Sequence, residues 1–208
     1  MDQPDVVCWR DNDGNLHDFS VRMAWETIRS RAEKVAWFSL VWHSMGIPRR
    51  SFIVWLLVKN KLKTQDHLQV WDTNMNGGGN SAVCPFCKLV PDSQSHLFFE
   101  CKFPNHVWSK TKDVMPLPVY EDNWEKVAAE LAPVSHRKVA RIVVTKLAFS
   151  ATVYFIWQER NARLFTGKAR SEEDLFQVIF STVLLKLMSL RWKDSTYVHR
   201  IKHTWKLS

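Results

Sequence analysis

The sequence contains few of the features that mark fibrous, disulfide-stapled or membrane proteins. Its 208 residues include four cysteines and six glycines, too few for a disulfide scaffold, a collagen-like chain or a low-complexity chain. The longest uncharged apolar stretches, Leu147–Gln158 and Leu175–Leu185, are shorter than the ~20 residues of a membrane-spanning helix. The acidic first residues lack the apolar segment of a secretory signal. We therefore expect an intracellular protein, nuclear or cytoplasmic, with no membrane partner.

The composition is otherwise that of a globular domain, with two unusual numbers: 11 tryptophans and a net charge of +8. Residues 1–136 carry 15 Lys+Arg and 16 Asp+Glu, whereas residues 137–208 carry 14 and 5. A local excess of this size favours a polyanionic partner at the C-terminal third, although solvated helix faces would give the same composition.

The pattern of apolar residues predicts a mainly α fold with a small N-terminal β-hairpin. Val6–Trp9 and Leu16–Phe19 flank a turn cluster and form the hairpin. Pro116 is the expected boundary between residues 1–115 and a basic helical region, 116–208, which is either separate or packed on the first. The glycine-rich stretch at 74–80 reads as a connector. Helices are predicted over Val21–Ser30, Val35–Ser44, Arg49–Lys61, Thr64–Trp71, His96–Met115 with an interruption at Pro104, Asp122–Leu131, Val139–Phe165 and Ser171–Trp192.

The strongest chemical signal is a cysteine and histidine cluster with the spacing C-x2-C-x8-H-x4-C. It comprises Cys84, Cys87, His96 and Cys101. A C-x2-C turn places two thiolates on one side of a metal ion, and a helical His and a later Cys complete a tetrahedron. Four protein ligands leave no position for a reactive water. The spacing therefore predicts one structural Zn²⁺, against the alternative of buried thiols and a packed imidazole.

Several short motifs follow one another along the first half of the chain. They are Phe19–Trp25, Trp37, Trp42, Ile47–Arg50, Phe52–Leu56, Leu62–Thr64, Cys84–Cys87, Ser95–Cys101 and Trp108. In this order they resemble the plant reverse-transcriptase zinc-binding domain, which lies C-terminal to the polymerase of LINE-type non-LTR retrotransposons. The resemblance covers about residues 18–111. A later stretch, Ile156–Phe165, is similar to the Trp-x-Glu-Arg-Asn-x-Arg-x-Phe sequence that follows this domain in the same elements.

The resemblance implies a detached, retrotransposon-derived module that helps to hold an RNA template or a target DNA. The chain shows no paired-aspartate polymerase motif and no spaced carboxylate set for a two-metal nuclease. No enzymatic activity and no small-molecule substrate are therefore expected. RNA or DNA is the expected partner, and the basic residues expected to contact it are Arg160, Arg163, Lys168, Arg170, Arg191, Lys193, Arg200 and Lys202.

The alternative function is a protein-interaction or scaffold module, with a protein partner or self-association. Its motivation is the number of tryptophans, because large exposed aromatic side chains anchor interfaces. Helical spacing predicts that five tryptophans are core residues: Trp25, Trp37, Trp42, Trp55 and Trp108. Trp192 and Trp205, in a basic tail, are the expected exposed contacts.

Overall fold

The computed structural model describes residues 6–30, 33, 35–66, 83–117 and 124–207, and it confirms a mainly helical fold with an N-terminal hairpin. The chain divides into two compact units, Met1–Val35 and Ala36–Ser208. The predicted division at Pro116 stays a prediction. The connector at 74–80 and nearly all of the helix expected over Thr64–Trp71 lie outside the described residues.

The first unit contains a two-stranded antiparallel hairpin and one helix. Strands β1 (Cys8–Arg10) and β2 (Leu16–Asp18) pair around a turn that the Asp11 carboxylate stabilises by accepting the backbone N–H of Asn15 (2.8 Å). Helix α1 (Val21–Ile28) begins where Ser20 Oγ accepts the N–H of Met23 at 3.1 Å. Trp25 on α1 is 62% exposed, so the expectation that it is a core residue is wrong.

Most helices of the second unit begin and end close to the predicted positions. Pro48 occupies the first turn of its helix, where a missing N–H costs nothing. Ser171 caps the helix that follows it by accepting the N–H of Asp174 at 3.0 Å, as its sequence predicts. The helices are α2 (Phe38–Val41), α3 (Pro48–Val58), a π-turn (His96–Glu100), α4 (Lys102–Asp113), α5 (Trp124–Leu131), α6 (Ala140–Phe165), α7 (Glu172–Met188) and α8 (Thr196–Thr204).

Helix α6 is the centre of this unit. Every residue from Ile142 to Ile156 is buried, and α3, α4, α7 and α8 pack against it. By length and apolar composition it resembles a membrane span, but 83% of its most apolar stretch is buried inside the protein. It is therefore the core helix of the fold.

Three helical predictions need correction. The helix predicted over Val35–Ser44 covers Phe38–Val41 only. The interruption in the helix predicted over His96–Met115 falls at Cys101, since Pro104 sits in the first turn of α4. Helix α8 was missed because its Thr, Tyr, Val and His residues have low helix propensity. On this helix's C-terminal side, Trp205 is completely buried and stacks on Phe180 with ring centroids 4.7 Å apart, so the expectation that Trp205 is an exposed contact is wrong.

Candidate metal centre

The first pair of candidate ligands lies on a tight knuckle. An antiparallel bridge joins Val83 to Pro91, and inside it the N–H of Cys84 donates to the carbonyl of Val90 at 2.7 Å. The chain reverses at Lys88, whose φ of 60° is in the left-handed region. The backbone N–H groups of Phe86 and Cys87 donate to the sulfur of Cys84. The knuckle thus turns both sulfurs toward one side and provides N–H dipoles that stabilise a thiolate.

The second pair is set by a π-turn. The N–H of Cys101 donates to the carbonyl of His96 at 2.9 Å, an i→i+5 bond. In an α-helix a residue five positions later lies about 140° around the axis from the first, whereas the wider turn of a π-helix brings that residue closer to the same face. The H-x4-C spacing is therefore matched by a local widening of the helix, and Cys101 then starts α4.

The four ligand atoms form one compact group, all within 4.8 Å of one another. The sulfurs of Cys84 and Cys101 are 3.9 Å apart, and Cys87 Sγ lies 3.3 Å from His96 Nε2. Tetrahedral zinc with Zn–S bonds of ~2.3 Å and Zn–N bonds of ~2.0 Å separates neighbouring ligand atoms by roughly 3.5–3.8 Å. The donor set and its spacing therefore fit one structural Zn²⁺.

The pKa shifts of the cysteines are consistent with a zinc site. The hydrogen bond with Cys101, together with the N–H groups of the knuckle, lowers the pKa of Cys84 to about 5. The same contact, with burial and the nearby thiolates, raises the pKa of Cys101. Several thiolates this close repel one another, and a divalent cation removes that repulsion when it binds.

Groups around the ligands hold them in place. Glu100 Oε2 lies 3.8 Å from His96 Nδ1, close to the second imidazole nitrogen but beyond hydrogen-bond distance. Phe86, within the knuckle, stacks on Phe103 of α4 with centroids 4.7 Å apart. The guanidinium of Arg163 lies over both rings, 4.8 Å and 4.3 Å from their centroids. The knuckle and α4 are thus packed against each other independently of the metal.

The segment between the two ligand pairs is attached to the core helices by buried polar contacts. The Asp92 carboxylate pairs with Arg160 of α6, and both side chains are almost fully buried. Asp92 also accepts the N–H of Gln65 at 3.0 Å. Gln94 donates to the carbonyl of Leu57 at the end of α3 at 2.9 Å. The candidate metal segment is therefore fastened to α3 and α6.

A second buried carboxylate sits one residue before Arg160. Glu159 accepts Arg163 Nε at 2.9 Å, the backbone N–H of Arg170 at 2.8 Å and Arg170 Nη1 at 3.2 Å. The side chains of the Glu-Arg-Asn-x-Arg sequence thus form a hydrogen-bonded network that joins the end of α6 to the zinc segment and to the start of α7.

The basic residues predicted to contact nucleic acid fall into two groups. Arg160 is buried, Arg163 is half-buried against Glu159, and Arg170 is paired with Glu159. The Arg160 guanidinium is consequently held by Asp92 and does not face solvent. Arg170 is exposed although it is paired with Glu159. The other exposed members are Lys168, Arg191, Lys193, Arg200 and Lys202.

Sequence reasoning missed three basic residues at the other end of α6: Arg137, Lys138 and Arg141. They line a cleft together with Arg191 and Lys193. The available signal was the pair Arg137-Lys138 directly before a long apolar helix. What the sequence does not show is that residues some fifty positions later reach the same cleft.

Residues 19–108 match the family model described as zinc-binding in reverse transcriptase. This range agrees with the span of the resemblance and contains all four candidate ligands. No curated protein and no solved structure gives a significant match to the chain. The match supports a reverse-transcriptase zinc-binding domain over residues 19–108, and the Cys84, Cys87, His96 and Cys101 group within it fits one structural zinc ion.

Proposed function

We propose that this zinc-binding module binds single-stranded nucleic acid, RNA or DNA, and catalyses no reaction. The observation that carries the proposal is the distribution of charge on the C-terminal helices and loops. Exposed basic side chains occur at Arg137 and Lys138 and recur from Arg191 to Lys206. Backbone phosphates attract such a surface regardless of base sequence.

Few carboxylates oppose this surface. Between residues 137 and 171 the sequence has one carboxylate, Glu159, and from residue 175 onward it has one, Asp194. Glu159 is buried among arginines, and Asp194 pairs with His199 at 2.9 Å. The acidic residues Glu172 and Glu173, at the start of α7, pair with His106 and Lys110 of α4. The exposed cations at 137–138 and 191–206 are thus left with little internal neutralisation.

A non-catalytic role is supported by the ligand count. Cys84, Cys87, His96 and Cys101 supply four donors, which fill the coordination of zinc and leave no position for an activated water. The metal would stabilise the fold, and the thiolates favour a reducing nuclear or cytoplasmic compartment.

The test is a titration of the zinc-loaded chain with fluorescent single-stranded RNA and DNA, followed by anisotropy at several salt concentrations. We expect micromolar or tighter binding, with log K falling linearly against log salt concentration. Binding weaker than micromolar with no salt dependence would overturn the proposal. A duplex of the same sequence serves as the control, because unpaired bases add stacking contacts that a duplex cannot make.

One observation favours the alternative of a protein-interaction module. Val21, Trp25 and Ile28 form an exposed apolar stripe along α1, between 62% and 76% exposed. Exposed apolar patches of this kind mark contact surfaces. Light scattering across a concentration series distinguishes the two: self-association that Trp25→Ser abolishes supports the alternative, and a strict monomer with salt-dependent strand binding supports the first proposal.

A further inference from the structure

A cleft of about 580 Å³ lies between the start of α6, the loop that joins α7 to α8, and the start of α8. Its apolar lining includes Val143 and Val198, both buried, and Met45 and Leu190. The volume falls within the range of roughly 300–1,000 Å³ that small-molecule sites occupy. The cleft is well separated in sequence from the zinc ligands and is not explained by the zinc-binding role.

The border of the cleft is strongly cationic. Asp194 is the one carboxylate among its described lining residues, and it pairs with His199. A smaller cavity of about 280 Å³ shares Arg137 and Lys138 with the cleft and is also lined by Lys146. An anion in the cleft would therefore meet several cations within a partly desolvated site. The basic residues that line the cleft are Arg137, Lys138, Arg141, Arg191 and Lys193.

Two aromatic side chains border the same space. The indole N–H of Trp192 donates to the carbonyl of Leu187 at 3.2 Å, which fixes the orientation of the ring. Tyr197 is 54% exposed, and the guanidinium of Arg141 lies 5.3 Å from its ring centroid. Planar π-faces beside guanidinium groups are the surfaces on which nucleic-acid bases stack.

We propose that this cleft holds one nucleotide, with its phosphate among the cations of Arg137, Lys138 and Arg191 and its base against Trp192 and Tyr197. A purely apolar ligand would leave the cations without a partner, and an acidic peptide would make no use of the two aromatic faces. The inference rests on the proposed function in that the nucleotide is taken to be one unit of a bound single strand; a free nucleotide offers the same chemistry.

The experiment uses the zinc-loaded full chain and four probes: a single-stranded oligonucleotide of about 12 nucleotides, an abasic strand of equal length, a nucleoside monophosphate and an acidic peptide. Two variants change the cleft: Tyr197→Leu removes the exposed ring, and the double variant Arg137→Gln, Lys138→Gln removes two cations. Matched controls lie elsewhere: Phe165→Leu removes a ring that is 79% exposed, and the double variant Arg22→Gln, Lys61→Gln removes two exposed cations outside the cleft.

We expect Tyr197→Leu to weaken binding of the intact strand about 5-fold or more, the loss of one stacked base, and to leave binding of the abasic strand unchanged. Phe165→Leu should bind both strands with the affinity of the wild type. The double variant Arg137→Gln, Lys138→Gln should weaken the binding of both strands more than the control double variant does. Equal effects of the cleft and control variants, or equal affinity of the wild type for the intact and abasic strands, would overturn the inference and leave the proposed function standing.

The nucleoside monophosphate separates the two proposals. Binding of the monophosphate that Tyr197→Leu abolishes, without binding of any strand, would overturn the proposed function and support the cleft as a nucleotide site. No binding of either probe would overturn both. Binding of strands and of an acidic peptide with equal affinity would overturn the cleft proposal, because charge alone would then account for it.

Discussion

The two ends of helix α6 carry basic residues in opposite surroundings. At the C-terminal end Arg160 is buried against Asp92, and Arg163 and Arg170 are paired with Glu159. At the N-terminal end Arg137 and Lys138 are exposed and line an open cleft. The fold therefore places the basic residues of 137–208 in two different environments. One end uses its cations to fasten the zinc segment, and the other presents them to solvent.

Removal of the zinc ligands should produce the largest difference in stability between the two ends of α6. We expect the double variant Cys84→Ser, Cys87→Ser to lose zinc and with it a stabilisation of several kcal/mol, since structural zinc in small fingers contributes ~10 kcal/mol or more. Amide hydrogen exchange should show lost protection at residues 84–101 and around Arg160, which contacts this segment through Asp92. Protection in the buried middle of α6 should fall less.

Cys8→Ser is the matched control, because Cys8 is exposed in the first unit. It should retain zinc and the wild-type exchange pattern. A wild-type zinc content below about half an equivalent, with no loss of helicity on chelation, would contradict a structural site.

The buried pair at the C-terminal end should give the next largest effect. Arg160→Gln leaves the Asp92 carboxylate buried without its cation, which costs about 3–5 kcal/mol in comparable cases. Lys168→Gln, at an exposed lysine nearby in sequence, should stay within about 0.5 kcal/mol of the wild type. Urea unfolding of zinc-loaded protein measures both.

The combined variant Asp92→Asn, Arg160→Gln tests the pairing itself. It should be less destabilised than the sum of the two single variants, because the orphaned charge is removed. Additive losses, or an Arg160→Gln variant as stable as Lys168→Gln, would show that the ion pair does not fasten the segment.

The sequence predicts the features that depend on neighbouring residues and misses those that depend on residues far apart in the chain. The zinc ligands lie within one knuckle and one turn, so their types and spacing were sufficient to identify Cys84 and Cys101. The role of Arg160 depends on Asp92, 68 positions earlier, although its position four residues after the buried Ile156 places it on the core face of α6. The burial of Trp205 depends on its stacking with Phe180 of α7, which no local pattern encodes.

The other buried cation of α6, Lys146, has no carboxylate partner among its described contacts and should make stability depend on pH. Lys146 Nζ donates to the carbonyls of Ser135 (2.8 Å) and Ser39 (3.3 Å), and burial lowers its pKa from 10.5 to about 8. Between about pH 8 and 10.5 the unfolded chain binds this proton more tightly than the folded protein does. The free energy of unfolding should therefore rise with pH across that window, by on the order of 1–3 kcal/mol.

Lys146→Met should remove this rise and lower stability at neutral pH, because it leaves both carbonyl oxygens without their donor. Lys206→Met, at an exposed lysine, should keep the wild-type pH profile. Unfolding curves collected from about pH 7 to 10 provide the comparison. Parallel profiles for the wild type and Lys146→Met would mean that the ammonium group is not desolvated as the structure places it.

The smallest expected effect concerns the salt dependence of strand binding, and it compares two arginines that the sequence alone does not distinguish. Arg191 is exposed at the cleft, whereas Arg163 is held by Glu159 and covers Phe86 and Phe103. Arg191→Gln should reduce the slope of log K against log salt by about 0.7, the loss of one phosphate contact on a single strand. Arg163→Gln should leave the slope unchanged and reduce only the unfolding midpoint.

Anisotropy titrations between roughly 50 and 200 mM salt measure the slopes. Equal slopes for the two variants would show that the cations at the two ends of α6 face the nucleic acid alike, because only a solvent-facing cation can replace a counterion on the strand.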